Sequence, residues 1–395
     1  MKKTRKLLSA ALAAAMLLTL LSGCGGGGGG GAAGGGAGSN GGGGMPQVDV
    51  DPNAKVVLNG TEMSLADLVA GAQAEGQVQS VGMPDDWANW KDSWESVTRI
   101  YGLSHGDMDM TSAEELALFA AEADDPTKDV GDIGLSMTPE AKKQGVTGTF
   151  KASSWDSFPD WAKDPDGLWV MTYTGSLAFI ANTEATGGAC PKSWAEVKSA
   201  DCMVSVGNVI AGAASQVAVL SCAIANGGSL DNVQPGIDYF KELAAAGRLD
   251  TGDTTSARMA SGEMVLCVGN YDYSVLAWRD NIVAENPAMQ LDITIPSDGS
   301  VTNGYAQIIN KYAAHPNADG LAIEYMCSDE AAVERAKGYA RPTKQGVVLP
   351  DDVAAALLPD SLYANCTNIS DVEALNNACA KIAELWEREV LPAVQ

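Results

Sequence analysis

One pentapeptide in this 395-residue chain has the form of a hydrolase motif: Gly102-Leu103-Ser104-His105-Gly106 fits GxSxG. A nucleophile elbow holds its serine on a sharp turn between a strand and a helix, with the hydroxyl exposed beside an oxyanion hole. Here the motif follows a helical pattern and runs into the polar stretch Asp107-Met108-Asp109, a context that suits a helix-ending glycine loop. The second of the two histidines, His315, precedes Pro316 and reads as a loop residue before a helix. A serine esterase using Ser104 is thus the enzymatic reading, set against a chain with no chemistry of its own.

Two other constellations suggest binding. Tyr271-Asp272-Tyr273 gathers oxygen groups just after a strand, and hard cations prefer oxygen ligands. Three neighbours on regular backbone cannot all face one ion, so the segment reads instead as Tyr273 packed inside with Tyr271 and Asp272 facing a site. Gly207-Asn208, leading to Gly212-Ala213-Ala214-Ser215, places small residues at a helix start, where backbone N–H groups can approach a carboxylate or phosphate. A tight helix–sheet contact accounts for the same composition. With two histidines and no CxxC, histidine-rich metal sites, zinc ribbons and thioredoxin chemistry lack their signature, and no cofactor is expected.

The elements that must position these residues alternate along the chain. Ser64 can cap a helix bearing Leu65, Leu68, Val69 and Ala72, ended by Gly76, and an extended stretch 78–83 follows. Trp87, Trp90, Trp94, Val97 and Tyr101 recur at helical spacing; Trp90 and Trp94 read as core, and Trp87, at the helix mouth, as a ligand contact. Strands are expected over 129–135, 168–181, 203–206, 264–268, 291–295 and 305–309. Helices are expected over 138–145, 212–226, 235–246, 274–282, 318–327, 329–337 and 371–391. Strands alternating with helices argue for parallel α/β sheets, whose ligands sit beyond the carboxyl ends of strands.

Charge and cysteine usage bound the setting. With 50 Asp+Glu against 25 Lys+Arg, the net charge of −25 repels phosphates, which excludes a nucleic-acid partner. Cys190 with Cys202 and Cys366 with Cys379 could close short disulfide loops of about 3 kcal/mol each, or stand as buried thiols.

The first residues read as targeting signals. Lys2, Lys3, Arg5 and Lys6 precede an apolar run to Leu21, and Leu21-Ser22-Gly23-Cys24 resembles the lipobox of bacterial lipoproteins, in which the cysteine is lipidated. Residues 1–23 are then a signal peptide, and 24–45 a lipidated Cys24 followed by a tether. Gly25 to Gly44 holds 15 glycines in 20 residues, with a reach of roughly 25 Å.

Further segments belong together: the alanine-rich Leu65-to-Gly76 stretch ending Glu75-Gly76, Asp164-Pro165-Asp166-Gly167-Leu168-Trp169, Tyr173-Thr174-Gly175, Ser261-Gly262-Glu263, Ile295-Pro296-Ser297-Asp298-Gly299 and Gly338-Tyr339-Ala340-Arg341-Pro342. In their order and spacing they resemble extracellular solute-binding proteins of ABC importers. The likeness is greatest to the branch of spermidine/putrescine- and ferric-ion-binding proteins. It implies a type II periplasmic-binding-protein-like fold: two α/β lobes, 46–175 plus 303–337 and 176–302 plus 338–395, joined by crossover strands. By the same resemblance the cleft-facing residues are the Asp85-Asp86-Trp87 loop, Ser136, Tyr173, Asn208, Ser215, Tyr271, Asp272, Asn303, Tyr305 and Arg341. The implied function is capture of a small polar solute, amine-bearing or cationic. Ferric ion and an anionic or zwitterionic solute such as a phosphonate are the alternatives. Partners would be the ABC permease and ATPase and, through the anchor, the membrane; the chain would be a monomer without cofactor. A surface adhesin would instead show a large exposed apolar patch.

Replacing Cys24 with Ser is expected to release the protein from membranes while leaving its melting temperature unchanged. Recovery of the variant in the membrane fraction after a high-salt wash would refute lipidation there.

Overall fold

Local chemistry sets the first elements of the computed structural model, which describes residues 45–85 and 87–394. The lipobox, Cys24 and the glycine tether lie outside the described residues. Strands β1 (Lys55–Leu58) and β2 (Thr61–Ser64) form a hairpin. Ser64 then caps α1 (Leu65–Glu75), its Oγ accepting the Asp67 N–H at 3.1 Å, and Gly76 ends the helix at φ 77°. Next come β3 (Gln77–Val81), α2 (Trp90–Tyr101), β4 (Ser104–Met108), α3 (Ser112–Ala121) and β5 (Val130–Gly134). The second helix starts at Trp90 rather than Trp87 because Ala88 and Asn89 stand at φ 45° and 56°, outside helical space. Trp90, Trp94 and Val97 form its buried face.

Where the sequence suggests a polar loop after Gly102, β4 pairs parallel with β3 from Gln77–Ser104 to Val81–Met108. Backbone bonding, rather than apolar alternation, carries this strand. The helix α3 is held by a reciprocal box: Thr111 receives the N3 backbone while Glu114 accepts the Thr111 N–H at 2.9 Å.

After α4 (Thr138–Gln144) and β6 (Phe150–Lys151), the chain reaches β7 (Tyr173–Asn182), shorter than the stretch 168–181 suggests. Val170 belongs to an isolated bridge with Gln307, so the ladder of β7 begins only at Tyr173. Then follow α5 (Trp194–Ser199), β8 (Val204–Ser205), α6 (Ala213–Ala225), α7 (Gln234–Ala245), β9 (Leu249–Asp250), α8 (Ser256–Ala260) and β10 (Leu266–Tyr271). The remainder comprises α9 (Asp272–Glu285), β11 (Leu291–Thr294), β12 (Ser300–Asn303), β13 (Tyr305–Ile309), α10 (Pro316–Met326), α11 (Asp329–Lys337), β14 (Arg341–Pro342), α12 (Asp351–Ala356), β15 (Cys366–Asn368) and α13 (Val372–Leu385).

Two sheets matter for the site. One has the order β13-β5-β3-β4; the other runs β15-β12-β7-β10-β8-β9, with β11 and β14 also paired to β7. Neither is wholly parallel as expected. Neighbours β3, β4 and β5 are parallel, as are β8, β9 and β10, whereas every partner of β7 and the β13–β5 pair are antiparallel. Among the antiparallel strands are those where the chain passes from one sheet to the other, near Val170–Tyr173 and between β12 and β13 at Gly304, while β10 and β11 run antiparallel to β7 within its own sheet.

The seven described cysteines are free thiols, so neither short-loop pair is bridged. Five of them are buried, which suits a thiol acting as a small hydrophobe. No described helix is long and apolar enough to cross a membrane.

Gly175, within β7, faces close neighbours. A Cβ there would lie 2.4 Å from Tyr273 Cε1 and 2.8 Å from Tyr271 Cβ. Gly175→Ala is therefore expected to destabilise by about 1–3 kcal/mol through overpacking, measured as a lowered thermal midpoint. An unchanged midpoint would mean that the two tyrosines yield freely.

Candidate functional site

Between the two sheets lie two adjoining cavities, of about 860 and 730 Å³, that share Trp87, Gly212, Ala213 and Tyr305 in their linings. The loop after β3 supplies Asp85 and Trp87, the start of α6 supplies Gly212 to Ser215, and β13 opens with Tyr305. These are strand ends and helix starts, where side chains and free N–H groups can face a solute.

Five residues named from sequence line the first chamber together: Asp85, Trp87, Asn208, Ser215 and Tyr305. Ser136 lines the second, along with Trp87 and Tyr305. Asn208 orders its own loop, Oδ1 accepting the Ile210 and Ala211 N–H groups at 3.2 and 3.3 Å. Trp87 stands edge-on to Tyr273 and to Tyr305, with ring centroids 5.4 Å apart in both pairs.

The other five are placed elsewhere. Tyr173 is wholly buried; its hydroxyl donates to Asp132 Oδ2 at 2.7 Å and accepts from the Trp87 indole at 3.0 Å. Tyr271 is buried with its hydroxyl accepting from Asn303 Nδ2 at 3.2 Å, so Tyr271 and Asn303 engage each other rather than the cleft. The order expected at 271–273 is reversed: Tyr273 lines the first chamber, and Asp272 is inside. The reason is that the helix α9 begins at Asp272, which replaces strand alternation by helical rotation. Oδ1 of Asp272 accepts the Ser176 and Tyr273 N–H groups at 3.0 and 2.9 Å, and Oδ2 accepts the Tyr363 hydroxyl at 2.5 Å. Burial raises its pKa to about 6, against those bonds and the nearby Arg341. Arg341 lines a separate 540 Å³ cavity, where its guanidinium stacks on Tyr363 at 4.0 Å and pairs with Asp360 at 2.9 Å.

Sequence reasoning missed several lining residues. Asp92, Asp253, Thr254, Asn270 and Lys337 line the first chamber, and Asp109, Glu115 and Asp132 the second. The run Asp253-Thr254-Thr255-Ser256 was the readable signal, since Thr255 caps α8 by accepting the Arg258 N–H at 3.3 Å. Burial pushes Glu115 well above the carboxylate range, with Asp132 adding to the rise, and pushes Asp132 itself up to about 7.

The GxSxG motif assembles no nucleophile. Ser104 and His105 are successive residues of β4 and point to opposite faces. Ser104 Oγ lies 3.4 Å from the Gly76 carbonyl, and His105 Nε2 lies 2.8 Å from Ser80 Oγ with its ring stacked on Trp94. Burial lowers the His105 pKa to about 3, unsuited to a general base near neutrality. His315 is engaged by Asp129 and Gln77. Among the described residues no group of three or more His, Cys, Asp or Glu could hold a metal ion.

Asp272→Ala is expected to strip three donors of their acceptor and to cost about 2–4 kcal/mol, read as a lower melting temperature. A variant as stable as the native chain would show that those bonds contribute nothing net.

Comparison with curated protein sequences finds no match. Solved structures share the fold at low identity. The periplasmic binding protein AfuA from Actinobacillus pleuropneumoniae, with fructose-6-phosphate bound, has TM-score 0.63 and 16% identity, covering 80% of this chain and 98% of that one. The ferric binding protein from Campylobacter jejuni has TM-score 0.61 and 16% identity, covering 79% and 99%. The Atu4243 GABA receptor has TM-score 0.60 and 16% identity, covering 79% and 96%. The fold is thus periplasmic-binding-protein-like with mixed α/β content. The sequence profile described as "Bacterial extracellular solute-binding protein" matches residues 125–365, more than half of the chain, and the chain belongs to that family, the solute-binding components of ABC transporters.

Proposed function

We propose that the chain captures a small cationic, amine-bearing solute, polyamine-like in its chemistry, and delivers it to an ABC permease and ATPase. The observation that carries this reading is the charge of the cleft. Asp85, Asp92 and Asp253 line the first chamber and Asp109 the second, against Lys337 among the described residues; Glu115 and Asp132 also line the second, but burial raises both and weakens them as counter-charge. An ammonium group brought out of water needs such counter-charge, and Trp87, Tyr273 and Tyr305 add aromatic faces for cation–π contact. Asp272 and Arg341 take no part. On this reading, lobes 46–175 plus 303–337 and 176–302 plus 338–395 close on the solute about the passages between the sheets. The body works as a monomer held to the membrane by lipid on Cys24.

A zwitterionic amino carboxylate is the second reading. The 13-residue helix α6 opens into the first chamber at Gly212 without a side-chain cap, and its N-terminal N–H groups favour a carboxylate. A ferric ion has less support, because Tyr271 is spent on Asn303.

A thermal-shift panel of putrescine, spermidine, γ-aminobutyrate, fructose 6-phosphate, a phosphonate and ferric citrate tests these readings. Spermidine or putrescine at about 100 times Kd is expected to stabilise by about 2.7 kcal/mol, and Asp85→Asn with Asp253→Asn should remove that response. Stabilisation by the anionic compounds alone would overturn the cationic reading.

A further inference from the structure

Trp87 is the one aromatic residue of the loop after β3 that borders both chambers, and its indole is not left to solvent. It donates to the Tyr173 hydroxyl at 3.0 Å, which donates to Asp132 Oδ2 at 2.7 Å. The other carboxylate oxygen, Oδ1, accepts Gln307 Nε2 at 2.6 Å, and Gln307 Oε1 accepts the Thr172 N–H at 2.8 Å. A phenol has one proton to give. With Asp132 ionised, Tyr173 must spend that proton on the carboxylate, which turns its lone pairs toward the indole N–H. A protonated Asp132 can instead donate to the phenol oxygen and removes the demand that orders the chain.

We propose that Asp132 is a positioning residue of the solute cleft: acting through Tyr173, it holds Trp87 in place at the junction of the two chambers. The inference rests on the reading of this cleft as the solute site. The turn before α2 supports it. Ala88 and Asn89 hold left-handed backbone at φ 45° and 56°, an arrangement that persists only when its surroundings enforce it. Arg335 Nη2 donates to the Asn89 carbonyl at 2.8 Å, and the Tyr173 hydroxyl accepts the Trp87 indole N–H at 3.0 Å.

The charged surroundings make this relay responsive to pH. Asp132 is buried and faces Glu115 from α3, which accepts the Asp132 N–H at 3.2 Å, as well as Tyr305 from β13 and Arg335 from α11. Asp107 and Asp109, from β4 and the segment after it, act on Glu115. Arg335 stacks on Trp90 at 3.8 Å and is the cation of this group. Burial outweighs its help and lifts Asp132 to about 7, so the acceptor at the end of the relay gains or loses its proton near neutrality.

The test needs no solute. The full chain is labelled with 5-fluorotryptophan, and the Trp87 fluorine resonance is assigned by its loss in Trp87→Phe. Between pH 6 and pH 8 that resonance is expected to move with a midpoint near 7. Asp132→Asn and Tyr173→Phe should each abolish the movement while the resonance of Trp194, remote and buried, stays put and reports an intact fold. Should Asp132→Asn fail to fold, Tyr173→Phe, which keeps the ring, decides the matter. A Trp87 signal independent of pH in the native chain, or one titrating unchanged in the folded variants, overturns the proposal. Adding spermidine to the native sample tests the cationic reading separately, and the absence of a response to it would sink that reading while leaving the Trp87 titration, and with it the relay, standing.

Discussion

The pairing of β7 with four other strands is the constraint on which the rest of the structure depends. All but the last of its residues are buried, so every N–H and C=O along it must find a partner inside the protein. Those partners come from β14 at Tyr173–Thr174, β12 at Gly175–Ser176, and β10 and β11 beyond. One strand thereby fastens segments that are more than a hundred residues apart. Its first residue, Tyr173, is also the middle of the hydrogen-bond chain to Trp87, and its third, Gly175, leaves room for the Tyr273 ring. Backbone satisfaction at the centre of the fold and side-chain placement at the cleft are consequences of the same ladder.

An acidic chain must also separate carboxylates that serve the fold from those that face a solute. The structural ones are saturated with donors. Asp272 has two backbone N–H groups and a phenol; Glu334 has Ser93, Ser96 and Tyr325; Glu75 caps α10 through the Asn317 and Ala318 N–H groups. A carboxylate so satisfied has little left to offer a ligand. Asp85 and Asp253 instead stand on the rim loops of the first chamber, where a solute can reach them.

This division explains what could be read from sequence. Caps are local chemistry, so Ser64 and Gly76 marked α1 without knowledge of the fold, and helical spacing marked Trp90 and Trp94 as core. Residues at strand ends and helix starts, such as Asp85, Asn208 and Ser215, fell around one cavity because that is where loops of an α/β sheet converge. The direction of a side chain at an element boundary is not local. Whether α9 starts at Asp272 or two residues later decides which tyrosine meets the cavity, and tertiary packing against β7 decides that. Strand β4 was illegible for a related reason: its sequence, Ser-His-Gly-Asp-Met, has no alternation, and only the edge of β3 makes it extended. Glu115 and Asp132 are 17 residues apart, and nothing in their neighbours announces that they share a chamber.

The two chambers are acidic in different ways, and this bears on how a cation would be held. Net charge of −25 acts weakly at a distance, since salt screens exposed charges beyond about 8 Å at physiological ionic strength. Selectivity must therefore come from groups in contact with the solute. In the first chamber those are Asp85 and Asp253 on open loops and Asp92 in the first turn of α2. In the second, burial raises both Glu115 and Asp132, the latter to about 7, so its carboxyls hold their protons more readily than those of the first. A cation entering it would favour ionisation of Asp132 and release a proton, whereas a neutral hydroxyl or amide end would leave the proton in place. On the cationic reading, the two chambers thus differ in how readily their carboxyls ionise, and Trp87 borders both.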